Sequence, residues 1–182
     1  MLNSLTFITG NSGKAEHLSK YLDMPILYKK VDLVEIQSLD LEEIVTHKVI
    51  EAYQYIQKPV LVDDTSLTIH VFGKLPGPFI KYFLQEIGRD GICDILQPFE
   101  DKSATAEVAI GLYDGEKVEI FRGEVPGKIS EKPEGEGGFG WDAIFIPEGF
   151  EMPRAALEEK DYDNTSPRKR ALQKLERNLK DT

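Results

Sequence analysis

The stretch Leu5-Thr6-Phe7-Ile8-Thr9-Gly10-Asn11-Ser12-Gly13-Lys14 determines how the start of this chain folds. Its first residues form a short apolar run, which predicts a buried strand. The residues that follow are small and flexible and end in a lysine, so they predict a turn that leads into a helix. Backbone N–H groups at such a turn, together with one ammonium, can face a single anion. We therefore expect a phosphate site here, formed by Thr9, Gly10, Asn11 and Lys14.

The length and composition are those of a globular protein. A chain of 182 residues with 41% hydrophobic and 30% charged residues predicts a single domain over residues 1–182 with a sizeable core. The net charge of −10 argues against a nucleic-acid partner, but a local basic pocket for a small anion is compatible with it. The one cysteine, Cys93, lies in an apolar run that predicts a buried helical position. With no secretory signal and no apolar run of membrane-spanning length, we expect a cytoplasmic protein without a membrane partner.

Strand and helix patterns alternate along the chain, which predicts an α/β fold with a mixed sheet. Strands are predicted at 5–9, 26–31, 60–62, 65–71, 104–113, 118–122 and 143–146, the fifth and sixth of them as a hairpin. Helices are predicted at 14–22, from 40 to about 58, at 79–87 and from 166 onward. Asp40 and Glu43 form a capping pair at the second helix. Segments 73–78 and 131–140 are predicted to be loops.

Two adjacent acids, Asp63 and Asp64, directly follow the apolar run Val60–Val62. Neighbouring ionised carboxylates repel one another unless a cation or water shields them. The end of a strand is also where α/β proteins bind ligands. The pair therefore indicates a magnesium site, because Mg²⁺ prefers carboxylate oxygens. A solvated turn is the alternative, because Asp is common in turns.

Glu35 and Lys48 are further candidates for the metal and phosphate site. Glu35 lies among apolar neighbours and could supply another metal ligand, or it could be an exposed polar position. Lys48 interrupts the apolar stripe of its predicted helix, so it either directs a charge into a cleft or extends its ammonium to solvent. The three histidines, His17, His47 and His70, have no metal-ligand spacing, and we expect none of them to be catalytic.

Two later segments indicate recognition of a base. In Phe139-Gly140-Trp141-Asp142, two aromatic rings separated by glycine suit stacking on a planar base, with an acid beside them. A tight turn whose aromatic rings fill the core is the alternative. Ser166, as N-cap, and Arg168 lie with Lys169 and Arg170 at the start of the last helix. Cations at that end favour an anionic or carbonyl partner, and a solvated basic face is the alternative.

Together these segments resemble the inosine triphosphate pyrophosphatase family over nearly the whole chain. The matching segments are 9–14, Val62-Asp63-Asp64-Thr65, Leu75-Pro76-Gly77-Pro78, 99–104, 137–142 and Ser166-Pro167-Arg168. The resemblance implies an elongated mixed β-sheet with flanking helices, in which two lobes surround a central nucleotide-binding cleft. It also implies a homodimer that hydrolyses non-canonical purine nucleoside triphosphates (ITP, dITP, XTP) to the monophosphate and pyrophosphate.

The resemblance also implies roles for the individual residues. Asn11 and Lys14 would contact the triphosphate, and Glu35 and Asp64, with Asp63 beside them, would bind Mg²⁺ or Mn²⁺. Asp64 or Asp63 would accept the proton of the attacking water, while Lys14 and Lys48 would stabilise the departing pyrophosphate. The base-binding residues implied are Phe139, Gly140, Trp141, Asp142, Lys160, Ser166 and Arg168.

Two departures from the family pattern matter. Pro167 replaces a family histidine that helps to recognise the base, and the spacing between Lys160 and Ser166 is about two residues longer than usual. The altered Ser166-Pro167-Arg168 segment keeps open a Maf-like pyrophosphatase acting on modified pyrimidine nucleotides. A nucleotide-binding module without turnover is a separate alternative, and the presence of every candidate metal carboxylate argues against it.

Overall fold

The computed structural model describes residues 5–10, 12–136 and 138–181, without the side chains of Ser12, Gly13 and His17. In this described part, seven strands form one mixed sheet flanked by helices, so the α/β prediction is confirmed. The strands are β1 Leu5–Ile8, β2 Ile26–Lys29, β3 Val60–Ile69, β4 Pro76–Gly77, β5 Ser103–Tyr113, β6 Val118–Ile129 and β7 Phe145–Pro147. The helices are α1 Ser12–Leu22, α2 Leu41–Ile56, α3 Ile80–Glu86, α4 Gly88–Leu96, α5 Glu159–Asn164 and α6 Pro167–Asp181. Two 3₁₀ helices span His70–Phe72 and Arg154–Ala156.

The strand order is β2-β1-β3-β5-β6-β7, and β4 pairs with β3 beside this path. β1 is parallel to both β2 and β3, whereas β4 is antiparallel to β3 and β7 is antiparallel to β6. Parallel neighbours need a crossover connection, and helices α1 and α2 supply the two that are required here. The sheet is therefore parallel at the β2 side and antiparallel at the β3–β4 and β6–β7 pairs.

The chain divides into two compact units. The first unit comprises Met1–Asp64, Val108–Gly123 and Arg170–Thr182, and the second comprises Thr65–Glu107 and Glu124–Lys169. Strands β3, β5 and β6 contribute residues to both units. The expectation of a single domain over 1–182 stays a prediction.

The first unit has a separate core on each face of its sheet. One face, which we call the α1 face, packs Leu5, Phe7 and Leu61 with residues of α1 and α6. The other, the α2 face, packs Ile8, Val60 and Val62 with residues of α2. Successive strand residues point to opposite faces, so neighbours in β1 and β3 enter different cores.

The helices of the first unit form as their sequences predict. Asp40 caps α2 by accepting a hydrogen bond from the Glu42 N–H at 2.9 Å. The predicted partner Glu43 bonds differently, because its carboxylate accepts from the Ser38 hydroxyl, which in turn accepts from the Asp40 N–H. In α6, Leu172 and Leu175 are buried in the α1-face core, and Leu179 is partly buried there.

The second unit has one core, to which β3, α3, α4, β5, β6 and the segment around Trp141 contribute. Cys93 lies in α4 and is buried, as predicted. The predicted loop 73–78 contains the short strand β4, and the last predicted strand is displaced to Phe145–Pro147.

Within the ranges described above, no helix combines the length and apolar character needed to cross a membrane.

Candidate active site

Asp63 and Asp64 lie inside β3 and not at a strand end, so the prediction that a strand stops at Val62 is wrong. β3 pairs with β1 at Val60 and Leu61 and with β4 at Leu67 and Thr68, and the acids lie between these two ladders. Because strand side chains alternate, Asp63 belongs to the same face as Leu61, and Asp64 to the same face as Val62. The two carboxylates therefore meet different helices.

On the α1 face, Asp63 forms an ion pair with Lys14, whose ammonium nitrogen lies 3.3 Å from Asp63 Oδ2. Lys14 is held in place by α1, whose Ala15 and Leu18 are buried in the same core. The Asp63 side chain is only 5% exposed. A carboxylate this deep needs a cation to remain charged at low cost, and Lys14 supplies one.

On the α2 face, Lys48 joins two carboxylates. Its ammonium nitrogen lies 3.1 Å from Asp64 Oδ2 and 3.4 Å from Glu35 Oε1. Burial disfavours the charge on Lys48, but the attraction and hydrogen bond of Asp64, with the charges of Glu35 and Asp63, outweigh that effect and raise the pKa of Lys48. Lys48 is thus a half-buried member of a charge cluster, and its ammonium is paired with carboxylates.

Glu35 reaches this cluster from an irregular segment that α2 holds in place. The Val34 N–H donates to Glu51 Oε2 at 2.9 Å, and Val31 and Leu33 pack against the α2-face core. The Asp64 side chain is 26% exposed and that of Glu35 is 57% exposed, so both carboxylates remain accessible to solvent.

The carboxylates of Glu35 and Asp64 suit a hard divalent cation. Both already converge on one positive group, the Lys48 ammonium, and carboxylate oxygen is the donor type that Mg²⁺ prefers. Among the residues that the structure describes, no three His, Cys, Asp or Glu side chains are arranged to hold a metal ion together. Asp63 lies on the opposite face, so its predicted metal role stays a prediction that this geometry does not favour.

The predicted phosphate turn is only partly described. The Thr9 N–H donates to the Lys29 carbonyl at 3.1 Å, which ties the end of β1 to β2. Gly10 is exposed, and a Cβ added there would be only in ordinary contact with the Lys30 side chain, at 3.8 Å. Asn11 lies outside the described residues. The phosphate-binding role of these residues stays a prediction.

In the second unit, we call the segment Phe139–Asp142 the base loop. Its two aromatic rings differ in exposure to solvent. Phe139 is 59% exposed, whereas Trp141 is 5% exposed and packs in the core. The rings meet edge to face with centroids 6.3 Å apart. Phe139 can therefore present a ring to a planar ligand, and Trp141 packs the base loop against the core.

Asp142 is buried and is bonded from several sides. Its residue exposure is 2%, and its carboxylate accepts from Arg154 Nη1 at 2.5 Å, Tyr162 Oη at 2.7 Å and the Phe139 N–H at 2.7 Å. Burial, followed by the bond to Asp142, raises the pKa of Tyr162 to about 12. These contacts make Asp142 a support for the base loop, which does not favour the predicted contact with the base.

The remaining predicted base-binding residues lie at and before α6. Ser166 is the N-cap, as predicted, since its hydroxyl accepts from the Lys169 N–H at 3.2 Å, and Pro167 is the first helical residue. Arg168 is half-buried in the first turn. Lys160 is exposed in α5, a short helix that the sequence patterns do not predict. The Gly140 carbonyl accepts from Arg89 Nε at 2.7 Å.

The chain is similar to known proteins of one family. The Ham1 family model matches residues 5–178. The chain belongs to the Ham1 family. It is 38% identical to the inosine triphosphate pyrophosphatase of Scheffersomyces stipitis, covering 96% of both chains. It is also 38% identical to the inosine triphosphate pyrophosphatase 2 of Trypanosoma cruzi, covering 93% of this chain and 89% of that protein.

The fold of this Ham1-family chain also matches solved structures. A HAM1 protein from Coxiella burnetii superposes with a TM-score of 0.88 at 25% identity, over 100% of both chains. The resemblance stated from the motifs is therefore confirmed at the level of the family and the fold.

Sequence reasoning missed Arg154, a buried side chain that bonds to the base loop of this Ham1-family chain. It lies in Met152-Pro153-Arg154-Ala155, where no periodicity or motif marks it as buried. Its partners Tyr162 and Thr165 shortly precede Ser166, and they meet Arg154 only in the folded chain.

Proposed function

We propose that this chain hydrolyses non-canonical purine nucleoside triphosphates, such as ITP, dITP and XTP, to the monophosphate and pyrophosphate. Its relatives from Scheffersomyces stipitis and Trypanosoma cruzi are named inosine triphosphate pyrophosphatases and align with it over nearly their full length. The observation that carries the proposal is the pairing of two adjacent carboxylates, Asp63 and Asp64, with lysines from two different helices. This arrangement offers both signs of charge that a metal-bound polyphosphate needs.

The proposed reaction is attack of water on the α-phosphorus. The bond between that phosphorus and the oxygen bridging to the β-phosphate breaks, and pyrophosphate leaves. Lys14 and Lys48 would offset the charge that develops on the departing group. Asp64 is the more exposed of the two aspartates, at 26% against 5% for Asp63, so we assign it the proton of the water.

We further propose Mg²⁺ or Mn²⁺ as the cofactor, held by Glu35 and Asp64. When bound, the ion would neutralise phosphate charge and lower the pKa of a water molecule. Lys48, which contacts the same two carboxylates, would then be released from part of its pairing and could turn to phosphate oxygens. Asp63 would keep Lys14 oriented.

Phe139 and Arg168 would recognise the base. The exposed ring of Phe139 suits stacking. Arg168 carries donors only, so it suits the 6-keto acceptor of hypoxanthine or xanthine and leaves a donor unpaired against adenine. An unpaired buried donor costs about 1–3 kcal/mol, which corresponds to roughly tenfold to a hundredfold discrimination.

The decisive experiment measures pyrophosphate release from ITP, dITP, XTP, ATP, GTP, dUTP and dTTP, with Mg²⁺ and with EDTA. We expect Mg²⁺-dependent release that is fastest with ITP, dITP or XTP, and Asp64→Asn as the matched variant should lose it. Preference for dUTP or dTTP would support a Maf-like activity. Tight nucleotide binding without release would indicate a non-catalytic binding module.

The proposal also includes the oligomeric state and the cellular location. We infer a homodimer from the resemblance to the family. We infer a cytoplasmic location because the one cysteine, Cys93, is a free and buried thiol, which suits a reducing compartment.

A further inference from the structure

Arg154 connects three segments of the second unit. Its residue exposure is 5%, and it lies in the 3₁₀ helix Arg154–Ala156. Nη1 donates to Asp142 at 2.5 Å, Nη2 to the Tyr162 carbonyl at 2.9 Å and Nε to Thr165 Oγ1 at 3.3 Å. The guanidinium also lies over the Tyr162 ring, 4.3 Å from its centroid. One side chain therefore bonds to the base loop, to α5 and to the residue before Ser166.

On the base-loop side, Arg154 compensates the charge of Asp142. A carboxylate that is 2% exposed is strongly disfavoured without a cation. With Arg154 bonded to Oδ1, the other oxygen is available to accept from the Phe139 N–H and from Tyr162 Oη. The backbone conformation that presents the Phe139 ring thus depends on a carboxylate that Arg154 stabilises.

On the other side, Arg154 fixes the chain just before the α6 N-terminus. Thr165 is buried, and its hydroxyl lies 3.3 Å from Arg154 Nε and donates to the Asp161 carbonyl. Thr165 directly precedes Ser166, so a shift of this residue would move the first turn of α6 and with it Arg168.

We propose that Arg154 is a positioning residue for base recognition, holding both the base loop and the start of α6. The expected effect on KM rests on the proposed function. The expected effect on the conformation of the base loop does not. Arg154 acts through Asp142 and Thr165 and is not itself a ligand of the nucleotide.

The structural test uses the one tryptophan of the chain, Trp141, which lies in the base loop. We would compare acrylamide quenching of its fluorescence in the wild type, Arg154→Met and Arg154→Lys without nucleotide. The control, Arg122→Met, makes the same substitution at an exposed ion pair with Glu42 in the first unit. Arg154→Met should raise the quenching constant at least about twofold, Arg154→Lys should lie in between, and the control should match the wild type. Unchanged quenching in Arg154→Met would overturn the proposal.

The kinetic test measures kcat and KM for pyrophosphate release from ITP, at a temperature where circular dichroism shows all variants folded. Arg154→Met should raise KM about tenfold and change kcat less than about threefold, because the phosphate-side residues stay in place. The inhibition constant of inorganic tripolyphosphate, which has no base, should stay within about twofold. Equal weakening of ITP and tripolyphosphate would show a general structural defect and overturn the positioning role.

If Arg154→Met does not fold, Arg154→Lys decides, because lysine keeps the charge opposite Asp142 but cannot reach all three partners. A raised KM for ITP in folded Arg154→Lys supports the inference, and a wild-type KM contradicts it. If the wild type releases no pyrophosphate from any nucleotide, the proposed function fails, and the Trp141 measurement still decides whether Arg154 holds the base loop.

Discussion

The neighbours Asp63 and Asp64 provide a matched pair of variants that tests the geometry of the active site. In the structure they occupy opposite faces of β3, with Asp64 beside Glu35 and Lys48 and Asp63 beside Lys14. If Glu35 and Asp64 hold the metal, Asp64→Asn should weaken metal binding and Asp63→Asn should not. The two substitutions remove the same charge one residue apart, so each is the control for the other.

The distances indicate why charge alone would not distinguish the two variants. At 3.1 Å for Lys48–Asp64 and 3.3 Å for Lys14–Asp63, the gross attraction is about 5 kcal/mol for each pair at an effective dielectric constant of about 20. Desolvation removes most of this gain, so each substitution should cost about 1–3 kcal/mol of unfolding free energy. Similar losses of stability are therefore expected from both variants.

Metal affinity should separate them. Loss of residues that merely support metal ligands commonly costs 10–100-fold in affinity, so loss of a ligand should cost at least about tenfold. We expect Mn²⁺ binding, followed by electron paramagnetic resonance or calorimetry, to weaken at least about tenfold in Asp64→Asn and less than about threefold in Asp63→Asn. Equal weakening would place both carboxylates in one metal site and refute the two-face assignment. No change in either variant would place the metal elsewhere.

Three further outcomes follow from individual side chains. Arg168→Ala should narrow the ratio of kcat/KM for ITP over ATP by roughly tenfold, and an unchanged ratio would remove Arg168 from base discrimination. Tyr162, whose pKa is raised to about 12, should ionise well after an ordinary tyrosine. Its neutral form is favoured on folding, so stability should fall from about pH 10 upward, and Tyr162→Phe should remove the latest phase of the ultraviolet titration. Burial is the main cause that raises the pKa of Cys93, so a thiol reagent such as DTNB should label it only after unfolding; rapid labelling of the folded protein would contradict this burial.

Local patterns were sufficient to predict most elements of this fold. The apolar runs that become β1 and β5, the α2 stripe and the Ser166-Pro167 start of α6 each carry a signal within a few residues. The limits of β7 and the presence of α5 were not predictable in this way. α5 is a six-residue helix whose residues are polar apart from Tyr162, so it has no apolar periodicity to detect.

In the candidate site, too, some features were predictable from the sequence and others were not. Acids, lysines and exposed aromatics were identified from residue type, and the structure brings Glu35, Lys48 and Asp64 together. The burial of Asp142 was not predictable, because it depends on a bond from Arg154. The two residues belong to different segments and come together only in the folded chain. Partners that act through tertiary contacts leave no mark in the spacing of a single sequence.

The placement of Asp63 and Asp64 inside a strand follows from the order of the parallel strands. The chain passes from β1 outward to β2 and then back across β1 to β3. Parallel crossovers are right-handed, so a reversal of direction places the connecting helices on opposite faces, and α1 and α2 indeed pack on different cores. Each face of β3 therefore meets a helix that carries a lysine, Lys14 or Lys48. An acid at either of two adjacent positions finds a cation, the like charges point apart, and the strand continues to Ile69 where composition alone would end it.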